Sequence, residues 1–241
     1  MDASHLEELA ALENHYWWHV AKRQIVVQLL ARFSPPPAEL IEGGIGAGGN
    51  LLICKEMGYR VSGFDLMPEA VLHAQKLGLH EVAVHDIREP WPAQPGAKDI
   101  VILLDVLEHV EDPAHVLSHA ARVMSQEGVL ILTVPAVRFL WGPWDAALGH
   151  QRRYSAKLLR THAKEAGLSV RWMSHWNSFS LPPALVMRSL AKLLGRQSAA
   201  KFPRVPSWLN ALLRGCACLE RHLSRLAPVP LGLSLVGVLT R

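Results

Sequence analysis

Residues 41–49 read Ile41-Glu42-Gly43-Gly44-Ile45-Gly46-Ala47-Gly48-Gly49, and this stretch decides the fold. The apolar run Glu39–Glu42 leads into it, and Asn50–Met57 follows at helical spacing until Gly58 closes it. Between strand and helix, glycines let the chain turn sharply and leave its main chain open to a ligand. The same alternation repeats outward. Arg60–Asp65, Glu81–His85, Asp99–Leu104 and Val129–Val134 read as strands; Pro68–Leu77 and Pro113–Met124 read as helices. Repeated strand–helix alternation predicts a parallel sheet covered by helices on both faces.

Upstream, Leu6–Leu12 and Val20–Phe33 have helical spacing, and Pro35-Pro36-Pro37 stops the second. Downstream, Ser155–Ala166 reads as a helix and Val170–Trp176 as a strand. Helices over Leu181–Leu194 and Ser207–Leu226 follow, split by Pro203 and Pro206, before a last strand at Leu233–Thr240. The expected organisation is an N-terminal helical cap (1–38), a core (39–177), a basic amphipathic helical insertion (178–230) and a final core strand (231–241).

Half of the 241 residues are apolar, which excludes disorder, collagen and a disulfide-stapled mini-fold. Three cysteines form no framework and suit a reducing compartment. The N-terminus, with Asp2, Glu7 and Glu8, lacks the pattern of a signal peptide. The longest uncharged C-terminal run, Leu226–Thr240, is too short and too rich in Pro and Gly to span a bilayer. A cytoplasmic place is expected, with a peripheral position at the inner membrane surface added by the basic tail described below.

The glycine stretch fits two patterns. Gly44, Gly46 and Gly49 match G-x-G-x-x-G, a pyrophosphate turn; Glu42, Gly44, Gly46 and Gly48 match E-x-G-x-G-x-G, an S-adenosylmethionine turn. Asp65, at the end of the second strand, suits a ribose diol in either case. Read alone, the turn indicates a nucleoside cofactor without naming it.

Further residues supply a family resemblance. The run from Asp99 to Pro113, holding Asp105, Glu108, His109 and Asp112, resembles the fourth-strand signature of class I S-adenosylmethionine-dependent methyltransferases. Phe64-Asp65-Leu66-Met67-Pro68-Glu69-Ala70 resembles their ribose segment, His85-Asp86-Ile87 their adenine segment, and Gly128–Pro135 their fifth strand. Gly43 and Ile45 depart from the family's more usual apolar and small residues. The resemblance implies a Rossmann-like α/β fold, with a seven-stranded sheet of order 3-2-1-4-5-7-6 and an antiparallel last strand. It also implies S-adenosylmethionine as cofactor. Asp65 would take the ribose hydroxyls; Asp86, Ile87, Leu66 and Met67 would meet the adenine. Main chain at Gly44, Gly46 and Gly48, with Leu104, would hold the methionine portion, and Glu42 and Asp105 are further cofactor-binding candidates. Relatives with a similar aromatic arm fold it over the cofactor, which makes Tyr16 and Arg23 candidates for the methionine carboxylate.

Methyl transfer from a sulfonium needs positioning, water exclusion and, for a hydroxyl acceptor, a base. His109 and His150 are the candidate bases. Trp141, Trp144, Arg152, Arg153, Tyr154 and Trp176 are the candidate acceptor contacts, and the arginines with Tyr154 would also suit an acidic or phosphorylated acceptor. Asp105, Glu108 and His109 stand at i, i+3 and i+4, a run similar to that of some quinone-pathway O-methyltransferases; metal-free relatives share it, and no metal is expected. His115 and His119 read as exposed histidines, Cys216 and Cys218 as packing residues.

Charge is segregated. Residues 1–177 carry 16 basic and 20 acidic residues, a net of −4; residues 178–241 carry 9 basic and 1 acidic, a net of +8. Arg188, Lys192, Arg196, Lys201, Arg204, Arg214, Arg221 and Arg225 are interleaved with large apolar residues. Residues 181–226 therefore suit an anionic membrane surface, or a cap with a solvated basic rim; nucleic acid is not expected. The expected activity is methyl transfer to a small, hydrophobic or lipid-linked acceptor, with oxygen favoured. The alternatives are other S-adenosylmethionine chemistry, such as an intramolecular alkylation, and a membrane-associated binding module without turnover.

Overall fold

Seven strands lie in the order β3-β2-β1-β4-β5-β7-β6 in a computed structural model that describes residues 3–193 and 204–241. The strands are β1 (Glu39–Gly43), β2 (Arg60–Asp65), β3 (Val82–Val84), β4 (Lys98–Leu104), β5 (Met124–Pro135), β6 (Ser169–Trp176) and β7 (Ser234–Thr240). The first five pair in parallel, and β7 runs antiparallel to both β5 and β6. This is the Rossmann-like class I methyltransferase architecture.

Alternation along the central strands explains why both faces are covered. Val101, Leu103, Leu130 and Leu132 pack on one side with Val116, Leu117, Leu159 and Ala163. The last four lie on α5 (Pro113–Val123) and α7 (Ala156–Glu165). Ile100, Ile102, Val129 and Ile131 point the other way, towards Ile25, Val26, Leu29 and Leu51. Those residues lie on α2 (Trp17–Phe33) and α3 (Gly49–Glu56). Each side chain taken from water contributes roughly 1.5–3 kcal/mol, so the strands are apolar on both faces because both faces are core.

The remaining helices are α1 (Ala3–Leu12), α4 (Pro68–Lys76), the five-residue α6 (Pro143–Ala147), α8 (Leu181–Leu193) and α9 (Ser207–Leu223). Two boundaries depart most from the sequence expectation, and one stretch gains elements. Helix α2 starts at Trp17 rather than Val20. Its N-cap Tyr16 makes no side-chain cap bond; instead Asn210 of α9 accepts from the Trp17 N–H at 2.9 Å and donates to the His15 carbonyl at 2.9 Å. A cap supplied from 193 residues away leaves no local signal. Strand β5 begins at Met124, where Lys98 pairs with it before an irregularity in register. A 3-10 turn at Arg138–Leu140 and α6 occupy a stretch with no expected element.

The insertion between β6 and β7 is tied down from within. Glu220 of α9, the lone acid after residue 177, accepts from the N–H groups of Asn177 and Ser178 and from the Ser178 hydroxyl. Arg225 bonds Gln28 of α2 at 2.9 Å. Outward, α9 exposes Trp208, Leu212, Leu219 and Leu223, and α8 exposes Val186, Met187 and Leu190. Arg196 and Lys201 of the expected basic set lie outside the described residues, as does the Lys192 side chain. Among the described residues no helix is long and apolar enough to cross a membrane.

Candidate active site

The glycine turn sits at the carboxyl end of the sheet, between β1 and α3. Gly44, Gly46 and Gly48 all have φ between 53° and 83°, while Gly49 opens the helix. That pattern matches the alternate-glycine motif beginning at Glu42. Gly44 is required twice over, because a Cβ there would also meet Val106 Cγ2 at 2.9 Å. Main-chain N–H groups of Gly44 and Ile45 bond the Phe64 carbonyl, fixing the turn to the end of β2. Gly43 has a packing reason: a Cβ would meet Phe64, Ile87 and Trp91 at 3.1–3.2 Å.

Asp65 ends β2 beside this turn. One carboxylate oxygen accepts from the Gly46 N–H and the other from the Met67 N–H, each at 2.9 Å. A carboxylate oxygen has two lone-pair sites, so the group can still accept two hydroxyls. Glu42 is buried with Oε2 lacking any partner among the described residues. Burial pushes its carboxyl up to about 8, with Lys22 opposing the shift and Glu13 adding to it. Arg23 donates to Asn14 Oδ1 and the Glu13 carbonyl, while its buried Nε has no acceptor among the described residues. Glu13 itself lies against the Gly49 N–H at the start of α3, and Leu9 of α1 approaches Gly46. An unpaired acceptor at Glu42 and an unpaired donor at Arg23 suit the ammonium and carboxylate of an amino-acid moiety. The residues present therefore fit S-adenosylmethionine. Tyr16 is buried in the same arm, its ring tilted against Trp17 at 6.2 Å.

The adenine candidates lie at the β2 and β3 ends. Leu66 is exposed, Met67 and Ile87 are half-buried, and Asp86 holds its own Arg88, which keeps the Asp86 carboxyl below its usual range. Leu104 is buried at the end of β4. The next residue, Asp105, sits at φ 56° and receives Lys22 Nζ at 2.8 Å and the Thr133 hydroxyl at 3.0 Å. A non-glycine residue held in the left-handed region costs of order 1–3 kcal/mol and is typical of functional loops.

Beyond Asp105 lie the candidate acceptor-side residues. Glu108 is buried with its Oε2 unpaired among the described residues, and desolvation with the nearby Asp105 charge raises its carboxyl well above the usual range. The rings of His109 and His150 meet edge-on at 4.8 Å. Burial and the neighbouring His150 depress His109 to about 4. Glu108, His109 and His150 each offer a donor atom within 4.8 Å of the others, a set that could hold a cation.

The segment bearing His150 is sewn to its surroundings. Gln151 N–H bonds the Glu108 carbonyl at 2.7 Å, and the Gln151 amide bonds the His109 carbonyl at 3.0 Å. Arg152 donates to the Glu111 carbonyl at 2.9 Å. Arg153 and Tyr154 are buried: Arg153 bonds Asp145 and the Ala136 carbonyl, and Tyr154 donates to the Leu107 carbonyl at 3.3 Å. Trp176 is buried against Trp18 at 4.7 Å. Trp144 is half-buried on α6, while Trp141 is exposed and Phe139 is 74% exposed near it in the chain. Of the expected acceptor contacts, Arg153, Tyr154 and Trp176 thus have their side chains built into the framework. Sequence reasoning missed Lys22, Glu13, Asp145 and Arg188, whose side-chain partners include residues as far as 83 positions away with no motif to announce them.

Residues 16–171 match the family described as "Methyltransferase domain". A ubiquinone biosynthesis O-methyltransferase of Xanthomonas axonopodis pv. citri (strain 306) is 29% identical over 145 residues, 54% of this chain and 60% of that protein. The chain thus spans about three-fifths of the length of the curated relatives it matches. The solved [4+2]-cyclase SpnF superposes with a TM-score of 0.64 at 16% identity, covering 99% of this chain and 92% of that one. A SAM dependent methyltransferase from Archaeoglobus fulgidus gives 0.59 at 14% identity, covering 91% and 94%. At such identities these likenesses speak to the fold alone.

Proposed function

We propose an acceptor and a chemistry for a chain that belongs to the class I S-adenosylmethionine-dependent methyltransferases: it methylates oxygen on a hydrophobic or lipid-linked molecule taken from a membrane surface. The sulfonium of the cofactor supplies an already activated methyl group. The chain's own residues then bind, orient and exclude water. Asp65 takes the ribose hydroxyls, with Leu66, Met67, Asp86 and Ile87 around the adenine. Glu42 and Arg23 take the amino-acid end beside the main chain of Gly44, Gly46 and Gly48. Tyr16, Leu104 and Asp105 close that end.

On the acceptor side His150 accepts the hydroxyl proton. His109 is the weaker candidate, because a ring whose protonation is depressed to about 4 holds a proton poorly at neutral pH. Trp141, Trp144 and Arg152 contact the acceptor.

One observation carries the choice of acceptor: the exposed apolar residues crowd the insertion and the loop next to it. Phe139 and Trp141 lie in the loop that leads to His150, and Val186, Met187 and Leu190 lie on α8, whose Arg188 reaches that loop. Exposed apolar residues interleaved with Arg204 and Arg214 suit an anionic lipid surface. That the Xanthomonas relative is a ubiquinone biosynthesis O-methyltransferase agrees with a lipid-borne acceptor hydroxyl.

The test incubates the chain and S-adenosylmethionine with lipid and aqueous extracts in parallel. S-adenosylhomocysteine should appear with the lipid extract; release confined to the aqueous extract would overturn the acceptor class.

A further inference from the structure

We propose that Asp145 is the positioning residue of the transfer site, fixing the ring of His150, and that Arg188 on basic helix α8 holds Asp145 in that role. The inference rests on the reading of His150 as base and extends it to groups that touch neither cofactor nor acceptor.

The geometry begins with a carboxylate that has no exposed surface. One oxygen of Asp145 accepts from His150 Nδ1 at 3.1 Å and from Arg153 Nε at 2.8 Å. The other accepts from the Gly142 N–H at 3.0 Å and from Arg188 Nη1 at 3.1 Å. Partners on both oxygens leave the carboxylate little freedom to turn. Its charge is secure as well: the Arg153 and Arg188 guanidiniums and the His150 bond keep the carboxyl at about 2 despite burial.

An ionised carboxylate only accepts hydrogen bonds. A neutral His150 must therefore carry its proton on Nδ1, which leaves the Nε2 lone pair directed away from Asp145 and able to take a proton. Main-chain bonds at Gln151 and the Ala136–Tyr154 bridge fix the loop backbone, but they leave the imidazole torsions open. The Asp145 bond is the contact that closes them.

Arg188 is the unexpected member. Arg153, buried eight residues further along the chain, already neutralises Asp145. Arg188 comes from 43 residues away, on the helix whose neighbouring Val186, Met187 and Leu190 face solvent. A cap that merely covered the domain would not need its arginine on this buried carboxylate. The contact makes the seating of α8 a condition for the orientation of His150.

The experiment uses the full chain, labelled with nitrogen-15 and saturated with S-adenosylhomocysteine, and records histidine-ring proton–nitrogen spectra at one fixed neutral pH. His150→Asn identifies the His150 signals by their loss. The wild type should show a single Nδ1-protonated tautomer for His150. Arg188→Met, which keeps the Asp145–Arg153 pair and so the fold, should turn this into an averaged mixture and lower kcat on the lipid extract by at least tenfold, with KM for S-adenosylmethionine within twofold. Arg188→Lys should restore the single tautomer and most of kcat. An Nε2-protonated ring in the wild type, or a His150 spectrum unmoved by Arg188→Met, would overturn the proposal. The two readings fail separately: full turnover in His150→Asn defeats the base whatever the spectra show, and an unmoved spectrum defeats the positioning role whatever the turnover.

Discussion

The glycine turn and the loop around His150, proposed to serve cofactor and acceptor, are built by different means. Around Gly44, Gly46 and Gly48 the working groups are main-chain, held by a bond to the Phe64 carbonyl and by left-handed glycine geometry. Around His150 they are side-chain, held by Asp145, Arg153 and Arg188 from two separate helices and a loop. Main-chain sites depend on which residues can adopt a conformation. Side-chain sites depend on which residues happen to meet. The first tolerates almost no substitution at its glycines, and the second divides its stability among several replaceable contacts.

The largest effect is expected from Gly44→Leu. A side chain at φ 76° costs of order 1–3 kcal/mol, and the encounter with Val106 adds strain of similar size. S-adenosylhomocysteine affinity, measured calorimetrically, should fall at least about 30-fold. An affinity within threefold of wild type would mean that the turn does not rely on its glycine conformation.

Glu42 provides a pH test of the same turn. Burial raises its carboxyl to about 8, and pairing with the ligand ammonium favours the ionised form, so binding must release a proton below that value. Affinity should rise with pH from 6 to 8, by up to about tenfold per unit, and flatten above. Glu42→Gln should remove the slope. Calorimetry in buffers of different ionisation enthalpy that finds no proton release would contradict the pairing.

On the other side of the comparison, the insertion should sediment with phosphatidylglycerol vesicles. Raising salt from 50 to 200 mM should weaken that binding by roughly tenfold, since screening shortens the reach of each basic side chain. Replacing residues 181–226 by a short linker should abolish it. Equal binding to neutral phosphatidylcholine vesicles would remove electrostatics from the account.

The smallest effect is expected at Tyr154→Phe. Losing the bond to the Leu107 carbonyl should lower stability by about 1 kcal/mol in urea unfolding, leaving cofactor affinity unchanged. An altered affinity would show that the acceptor loop and the cofactor turn are not separate supports.

The same division decides what the sequence could disclose. Strand–helix alternation, the glycine turn and the place of Asp65 at the end of β2 are legible because period, punctuation and spacing are local, whereas the strand order is what the family resemblance implies. Lys22 on Asp105, Asn210 capping α2 and Arg188 on Asp145 are not, since each joins residues 43 to 193 apart. The Gly43 departure from the family pattern also becomes intelligible only in three dimensions, where Trp91 and Phe64 fill the space a side chain would take. The expected roles of Arg153 and Tyr154 suffered from the converse problem. Polar letters beside a candidate base suggested acceptor contacts, yet both side chains are buried in the scaffold that presents it.

The most direct measurement pairs Asp65→Ala with His150→Asn, recording for each the calorimetric affinity for S-adenosylhomocysteine and the turnover of S-adenosylmethionine on the lipid extract. Asp65→Ala should lose affinity, while His150→Asn should keep wild-type affinity and lose roughly 100-fold or more in turnover. His150→Asn with wild-type turnover, or with affinity lowered as far as in Asp65→Ala, would contradict these roles.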